Sequence, residues 1–123
     1  MTSREIPRSE WSSFLDGFAS QHQGWLANLD WRQHGDGRVA VFYERPLDQI
    51  HFDTEGNGRI ALVFGRADGP QVTEVVDAPT RIRFLETTPG AHAGLEIESA
   101  NGTELVMRFR SAMPPEMVDG IAA

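Results

Sequence analysis

The residues in this sequence best suited to chemistry are its four histidines, at positions 22, 34, 51 and 92, because imidazole titrates near neutral pH and binds metals. His51 is the best placed, since Asp53 follows two residues later and a strand would turn both side chains to one face, opposite Ile50 and Phe52. Such a pair could transfer a proton or contribute to a metal site. Zinc normally takes three or four protein ligands, so we expect a solvated outer face and no metal.

The other three histidines carry weaker signals. His22 ends an apolar stripe, so we expect a partly buried imidazole whose hydrogen bonds are satisfied rather than a ligand. His34 and His92 lie in glycine-rich loop sequence, and we expect both to be solvated.

Arginines alternate with apolar residues in two segments, around Ile82 and around Phe109. If the two strands were neighbours, four guanidinium groups would share one face and bind a carboxylate or phosphate. Glutamates at 86, 96, 98 and 104 would neutralise much of that face, so a mixed charged surface is favoured. The candidate ligand-binding residues are therefore His51, Asp53, Arg81, Arg83, Arg108 and Arg110, and no catalytic residue is assigned.

Composition and motifs exclude several classes of protein. The chain has no cysteine, which rules out disulfides and thiolate chemistry, and it has neither a phosphate-binding glycine loop nor a nucleophile elbow. We therefore expect no cofactor. The net charge of −7 disfavours nucleic acid and anionic membranes as partners. No secretion signal or apolar run of about 20 residues is present, so we expect a cytoplasmic protein.

The helix signal lies near the start of the chain. Trp11, Phe14 and Phe18 recur at spacings of three and four, which predicts a helix over about 9–22 with Ser9 as N-cap and Gly24 ending it in a left-handed turn. We expect this aromatic stripe to be core; the alternative is a surface for a partner.

From residue 25 onward the apolar period drops to two, which predicts about seven or eight short strands. The last hairpin is the most closely specified. A three-residue loop over 100–102 pairs 99 with 103, 97 with 105 and 95 with 107, and keeps the apolar residues on one face. A short helical turn is expected over 116–121. The fold class is α+β in one domain, 1–123, with the helix packed on an antiparallel sheet that is open or closed into a small barrel.

Both ends of the chain resemble an uncharacterised bacterial family of unknown function, DUF5335. The resemblance lies in the segments 6–14, 21–26, 78–80, 95–103, 108–111 and 115–121. It implies a small stand-alone bacterial protein, and it brings no activity, cofactor or site residue with it.

Two functions are open at this point. The leading one is a non-enzymatic module that binds a protein partner or itself. The alternative is a small-molecule-binding domain or enzyme with a pocket at the junction of helix and sheet, using His51, Asp53 and nearby arginines. A pocket of several hundred Å³ between helix and sheet would favour the alternative, and a filled interior with a large exposed apolar patch would favour the first.

Overall fold

The structure, a computed structural model, describes residues 2–33, 38–65, 71–87 and 91–113. For Thr2, 38–43 and 111–113 it describes the backbone alone. His34 and the helical turn predicted over 116–121 lie outside the described residues.

One helix precedes most of the sheet. A 3-10 turn, Arg8–Glu10, leads into α1, Trp11–Gln21. The predicted N-cap is wrong, because the Glu10 N–H donates to the Pro7 carbonyl at 2.9 Å and this tight turn, rather than a Ser9 side chain, starts the helix. The predicted end is confirmed: His22 is the C-cap, and Gly24 has φ 87°.

The described residues form eight strands in one antiparallel sheet, in the order β1-β6-β7-β8-β2-β3-β4-β5. Their bounds are β1 Thr2–Glu5, β2 Leu26–Arg32, β3 Arg38–Asp53, β4 Arg59–Phe64, β5 Val72–Asp77, β6 Pro79–Glu86, β7 His92–Ser99 and β8 Glu104–Met113. The α+β class is confirmed. The sheet ends at β1 and β5 and is not closed, so the barrel alternative is not confirmed.

The long strand β3 changes partner along its length. It pairs with β2 as far as Pro46 and with β4 from Leu47 onward. The register shifts just before this point, where Glu44 has φ 56° and its N–H donates to the Asn28 side-chain oxygen at 2.8 Å. Pro46 therefore lies within a continuous strand, at the bend where one set of partners replaces another.

The helix packs on one face of the sheet and completes the core. Trp11 and Phe18 are 2% and 3% exposed, and Phe14 is partly buried against the same cluster. The prediction that the aromatic stripe is core is therefore confirmed. The alternating apolar residues of the strands predict a facing core of Leu29, Trp31, Val41, Ile60, Leu62, Leu105 and Phe109. Trp31 is only partly buried, the side chain of Val41 lies outside the described residues, and the other five are buried.

The last hairpin has the predicted register. Ile97 pairs with Leu105 and Leu95 with Met107, and the Ser99 N–H donates to the Thr103 carbonyl at 2.9 Å. Gly102 has φ 90°, the left-handed conformation that the three-residue loop requires.

Candidate functional site

A pocket of about 270 Å³ lies between α1 and the strands β6 and β7. Its apolar walls are the rings of Phe14, Phe18 and Phe84. Two imidazoles, those of His22 and His92, lie among these rings, and Arg4 lines the pocket as well. The exposed side chains of Ser13 and Gln21 line it too, so the site combines aromatic walls with several polar groups.

His22 is held by hydrogen bonds at both ring nitrogens. Its Nδ1 lies 2.7 Å from the Phe18 carbonyl oxygen, and its Nε2 lies 2.8 Å from Nδ1 of His92. A carbonyl only accepts, so Nδ1 of His22 carries the hydrogen. In the neutral ring, Nε2 then accepts, and Nδ1 of His92 must be the donor.

His22 stays neutral at physiological pH. Its side chain is buried (0% exposed) and packed near the rings of Phe18 and Phe109, with centroids 4.3 and 4.9 Å away. This burial lowers its pKa to about 4; the hydrogen bond to the Phe18 carbonyl opposes the shift and His92 adds to it. The expected satisfied imidazole is confirmed, although its burial is complete rather than partial.

His92 is left with one free acceptor. Because its Nδ1 donates to His22, the lone pair of the neutral ring is on Nε2. In the part of the chain that the structure describes, no group is hydrogen-bonded to Nε2. Burial lowers the pKa of His92 and the Glu86 carboxylate opposes that shift, which keeps the ring a neutral acceptor at neutral pH. His92 can therefore accept a hydrogen bond, or a proton, from a molecule in the pocket.

The prediction that His92 is solvated is wrong, and a bulge in β7 is the reason. Strict alternation with the inward Leu95 would turn Ala93 inward and His92 outward. Instead the register shifts between His92 and Gly94, which reverses the two faces. His92 contacts His22 and the Phe84 ring, and Ala93 lies in a small buried cluster with Leu85 and Val106.

Gly94 allows the bulged strand to approach its neighbour. A Cβ on this residue would overlap the backbone carbonyl oxygen of Met107 on β8. Any other amino acid would force β7 away from β8 at the bulge, so the position of His92 depends on this glycine.

The structure does not unite His51 and Asp53 in one site. Both side chains are exposed and they line different pockets: His51 lines one of about 270 Å³ between α1 and β3, and Asp53 lines one of about 500 Å³. Asp53 accepts a hydrogen bond from the Glu55 N–H at 3.0 Å, and in the pocket beside His51 the Asp48 carboxylate accepts from Gln23 and Gln71. Across the described ranges, no group of three or more histidine, aspartate or glutamate side chains could hold a metal ion. A ligand-binding role for the pair stays a prediction.

The four candidate arginines are not brought together either. Strand β7 separates β6, with Arg81 and Arg83, from β8, with Arg108 and Arg110. Glutamates surround the first pair: Arg83 lies 3.2 Å from Glu98.

Further ion pairs distribute the charge of this outer face. Arg81 lies 3.5 Å from Glu98, Arg110 lies 3.3 Å from Glu44, and Arg32 lies 3.1 Å from Glu104. Burial and the neighbouring Glu96 raise the pKa of Glu104, even though Arg32 opposes the shift. Such an interleaved network matches the mixed charged surface expected from the sequence, and it leaves no concentrated cationic patch among these arginines.

The signal that would have identified the pocket is weak in the sequence. His92 stands three residues before Leu95, and nothing in the spacing marks the bulge between them. Gly17 is a second weak signal of the pocket, because it is a glycine inside a predicted helix that also carries aromatic residues.

Comparisons with known proteins identify a family and nothing more specific. Neither a curated protein nor a solved structure matches the chain. Within the described residues, no helix is long and apolar enough to cross a membrane. The model of one family, described as a family of unknown function (DUF5335), matches residues 2–117, which is nearly the whole sequence. The chain therefore belongs to the DUF5335 family of unknown function.

Proposed function

We propose that the protein binds a small organic molecule in the pocket between α1 and the strands β6 and β7. The observation that carries this proposal is the free acceptor nitrogen of His92, oriented by His22 beside three aromatic rings. A half-buried polar atom that lacks a partner loses free energy unless a ligand or water satisfies it. A ligand with a hydrogen-bond donor would satisfy Nε2 while its apolar part covers the rings.

Gly17 supports the proposal from the helix side of the pocket. It lies in the interior of α1, where glycine destabilises a helix by about 1 kcal/mol relative to alanine. Packing does not require a glycine there, because a Cβ would meet nothing within 4 Å. The residue also lines the pocket, so its missing side chain leaves the pocket open.

Binding of a protein partner, the leading function in the sequence analysis, has less support from the described surface. The aromatic stripe that would have served a partner packs into the core instead. Val75, 38% exposed, is the large hydrophobic side chain that stands out as exposed among the described residues. A single exposed valine is ordinary for a protein surface and does not form a docking patch.

The test is to fill the pocket from Gly17 without disturbing its other walls. Gly17→Leu places an aliphatic side chain into open space, and Gly17→Ala is the matched control that improves the helix but fills little volume. Saturation-transfer NMR with phenol, indole and benzene as probes measures binding to each protein. We expect binding to the wild type and to Gly17→Ala, and at least a tenfold loss in Gly17→Leu. Probes that bind no better to the wild type than to Gly17→Leu would refute the proposal.

A further inference from the structure

We propose that the ligand of this pocket is an uncharged aromatic molecule that carries an O–H or N–H donor, of the phenol or indole type. This inference rests on the proposed function and names the class of molecule that the same pocket selects. Three features define that class: the hydrogen-bond polarity of the His92 side chain, the nature of the walls and the charge balance beside the pocket.

A chain of hydrogen bonds from the Phe18 carbonyl through His22 to His92 determines whether Nε2 of His92 donates or accepts. The Phe18 carbonyl requires a hydrogen on Nδ1 of His22, and the 2.8 Å contact between the two rings then requires one on Nδ1 of His92. Nε2 of His92 is consequently an acceptor. A hydroxyl or a ring N–H complements it, whereas a carboxylate or an ether oxygen would place a second lone pair against it.

The walls favour a flat apolar body. The Phe14 ring lies 5.7 Å from that of Phe18 and 5.8 Å from that of Phe84, and the Phe18 and Phe84 rings meet edge to face at 5.9 Å. Aromatic rings prefer such offset and tilted contacts, which another aromatic ring can extend. A volume of about 270 Å³ lies just below the range of about 300–1,000 Å³ typical of drug-sized ligands, so the molecule has one ring or two fused rings.

The charges beside the pocket balance each other. The Arg4 guanidinium lies 5.5 Å from the centre of the Phe84 ring, and its Nε is 4.0 Å from the Glu86 carboxylate. An anionic ligand would gain from Arg4 but be repelled by Glu86, and a cationic ligand would experience the reverse. Moving either charge from water toward the rings of Phe14 and Phe18 would cost free energy that no single partner offsets. An uncharged ligand avoids this cost.

The experiment compares matched probes that differ in one hydrogen-bond donor or one charge. Phenol is compared with anisole, and indole with N-methylindole, by NMR titration at neutral pH. Benzoate and benzylammonium report the effect of charge. We expect each methylated probe to bind the wild type about tenfold more weakly than its parent, a factor that corresponds to about 1.4 kcal/mol. We expect both ions to bind more weakly than phenol.

Two variants assign this preference to Nε2 of His92. His92→Asn retains a side-chain N–H for His22 but is too short to place an acceptor at the position of Nε2, so phenol and anisole should bind it equally. His92→Gln returns an amide oxygen near the position of Nε2 and should restore part of the preference. Thermal unfolding of each variant checks that it is folded, and the methylated pairs on the wild-type protein test the inference even if a variant is not.

The outcomes separate this inference from the proposed function. If anisole matches phenol on the wild type while Gly17→Leu abolishes the binding of both, the pocket binds ligands but the ligand class is wrong. Tighter binding of benzoate or benzylammonium than of phenol would also overturn the class. If no probe shows binding that Gly17→Leu removes, the proposed function itself fails, and this inference fails with it.

Discussion

Lowering the pH should destabilise the protein through His22. In the folded state the imidazole is buried and its pKa is about 4, whereas in the unfolded chain it is near 6.5. Between these values the unfolded state binds the additional proton. The free energy of unfolding is therefore unaffected by His22 above pH 6.5, decreases as the pH falls below that value, and has lost the full contribution below pH 4.

The size of the effect follows from the shift. A difference of about 2.5 pKa units corresponds to a maximum of about 3 kcal/mol, a large share of the roughly 5–15 kcal/mol that stabilises a typical domain. The same linkage relation predicts a loss of about 1 kcal/mol at pH 5.5 and of about 2–3 kcal/mol at pH 4.5. The charged and titratable groups near His22 are His92, Glu86 and Arg4. His92 contacts His22 directly, Glu86 opposes the lowering of the His92 pKa, and Arg4 lines the same pocket. The pKa of His92 is lowered as well, so its contribution has the same sign.

The assay is urea unfolding at pH 7.5, 6.5, 5.5 and 4.5, for the wild type and for His22→Gln. Glutamine keeps a donor for the Phe18 carbonyl and an acceptor for His92 but does not titrate, and the carboxylates protonate in both proteins alike. We expect the wild type to lose more stability than the variant by about 2–3 kcal/mol between the two extremes of pH. Parallel pH profiles would show that His22 is not held neutral by burial.

Three further substitutions test the packing. Trp11→Ala should lower the free energy of unfolding, measured by urea unfolding, by about 3–5 kcal/mol, because it removes a buried ring and the donor to the Ile6 carbonyl. Ser12→Ala is the control: Ser12 is exposed on the same helix, so its substitution should change the free energy of unfolding little. Gly17→Ala should raise it by up to about 1 kcal/mol, and a decrease would mean that the space beside this residue is filled. Gly94→Ala should destabilise the fold and shift the His92 side-chain resonances in NMR spectra, and unchanged resonances would show that the bulge does not depend on this glycine.

Sequence reasoning predicted the parts of the fold in which the spacing of apolar residues along one segment is enough to determine its structure. The stripe of Trp11, Phe14 and Phe18 fits a single helix face, and the register of the last hairpin follows because the alternative loop would mix polar and apolar faces. β1 was not predicted, because its polar side chains carry no apolar period; it forms by pairing with β6, which is distant in sequence.

The candidate site was missed for a similar reason. His92 is turned inward by a shift of register, and a shift depends on the path of the neighbouring strands rather than on the residue itself. His51 and Asp53 were correctly placed on one strand, but their neighbours come from other segments that local spacing cannot reveal. A predicted strand face therefore identifies candidate residues without showing which of them meet.

The pairing of β1 with β6 has a consequence for how the chain folds as it is synthesised. Thr2 pairs with Glu86, so β1 leaves the ribosome well before β6 and has no partner strand until β6 has been translated. The helix that follows β1 is marginal alone in water, and its aromatic stripe is covered only by strands that emerge later. A nascent chain that ends before β6 lacks Phe84 and Phe109, the rings against which Phe18 packs, so it exposes Phe18 to aggregation or to capture by a chaperone during translation.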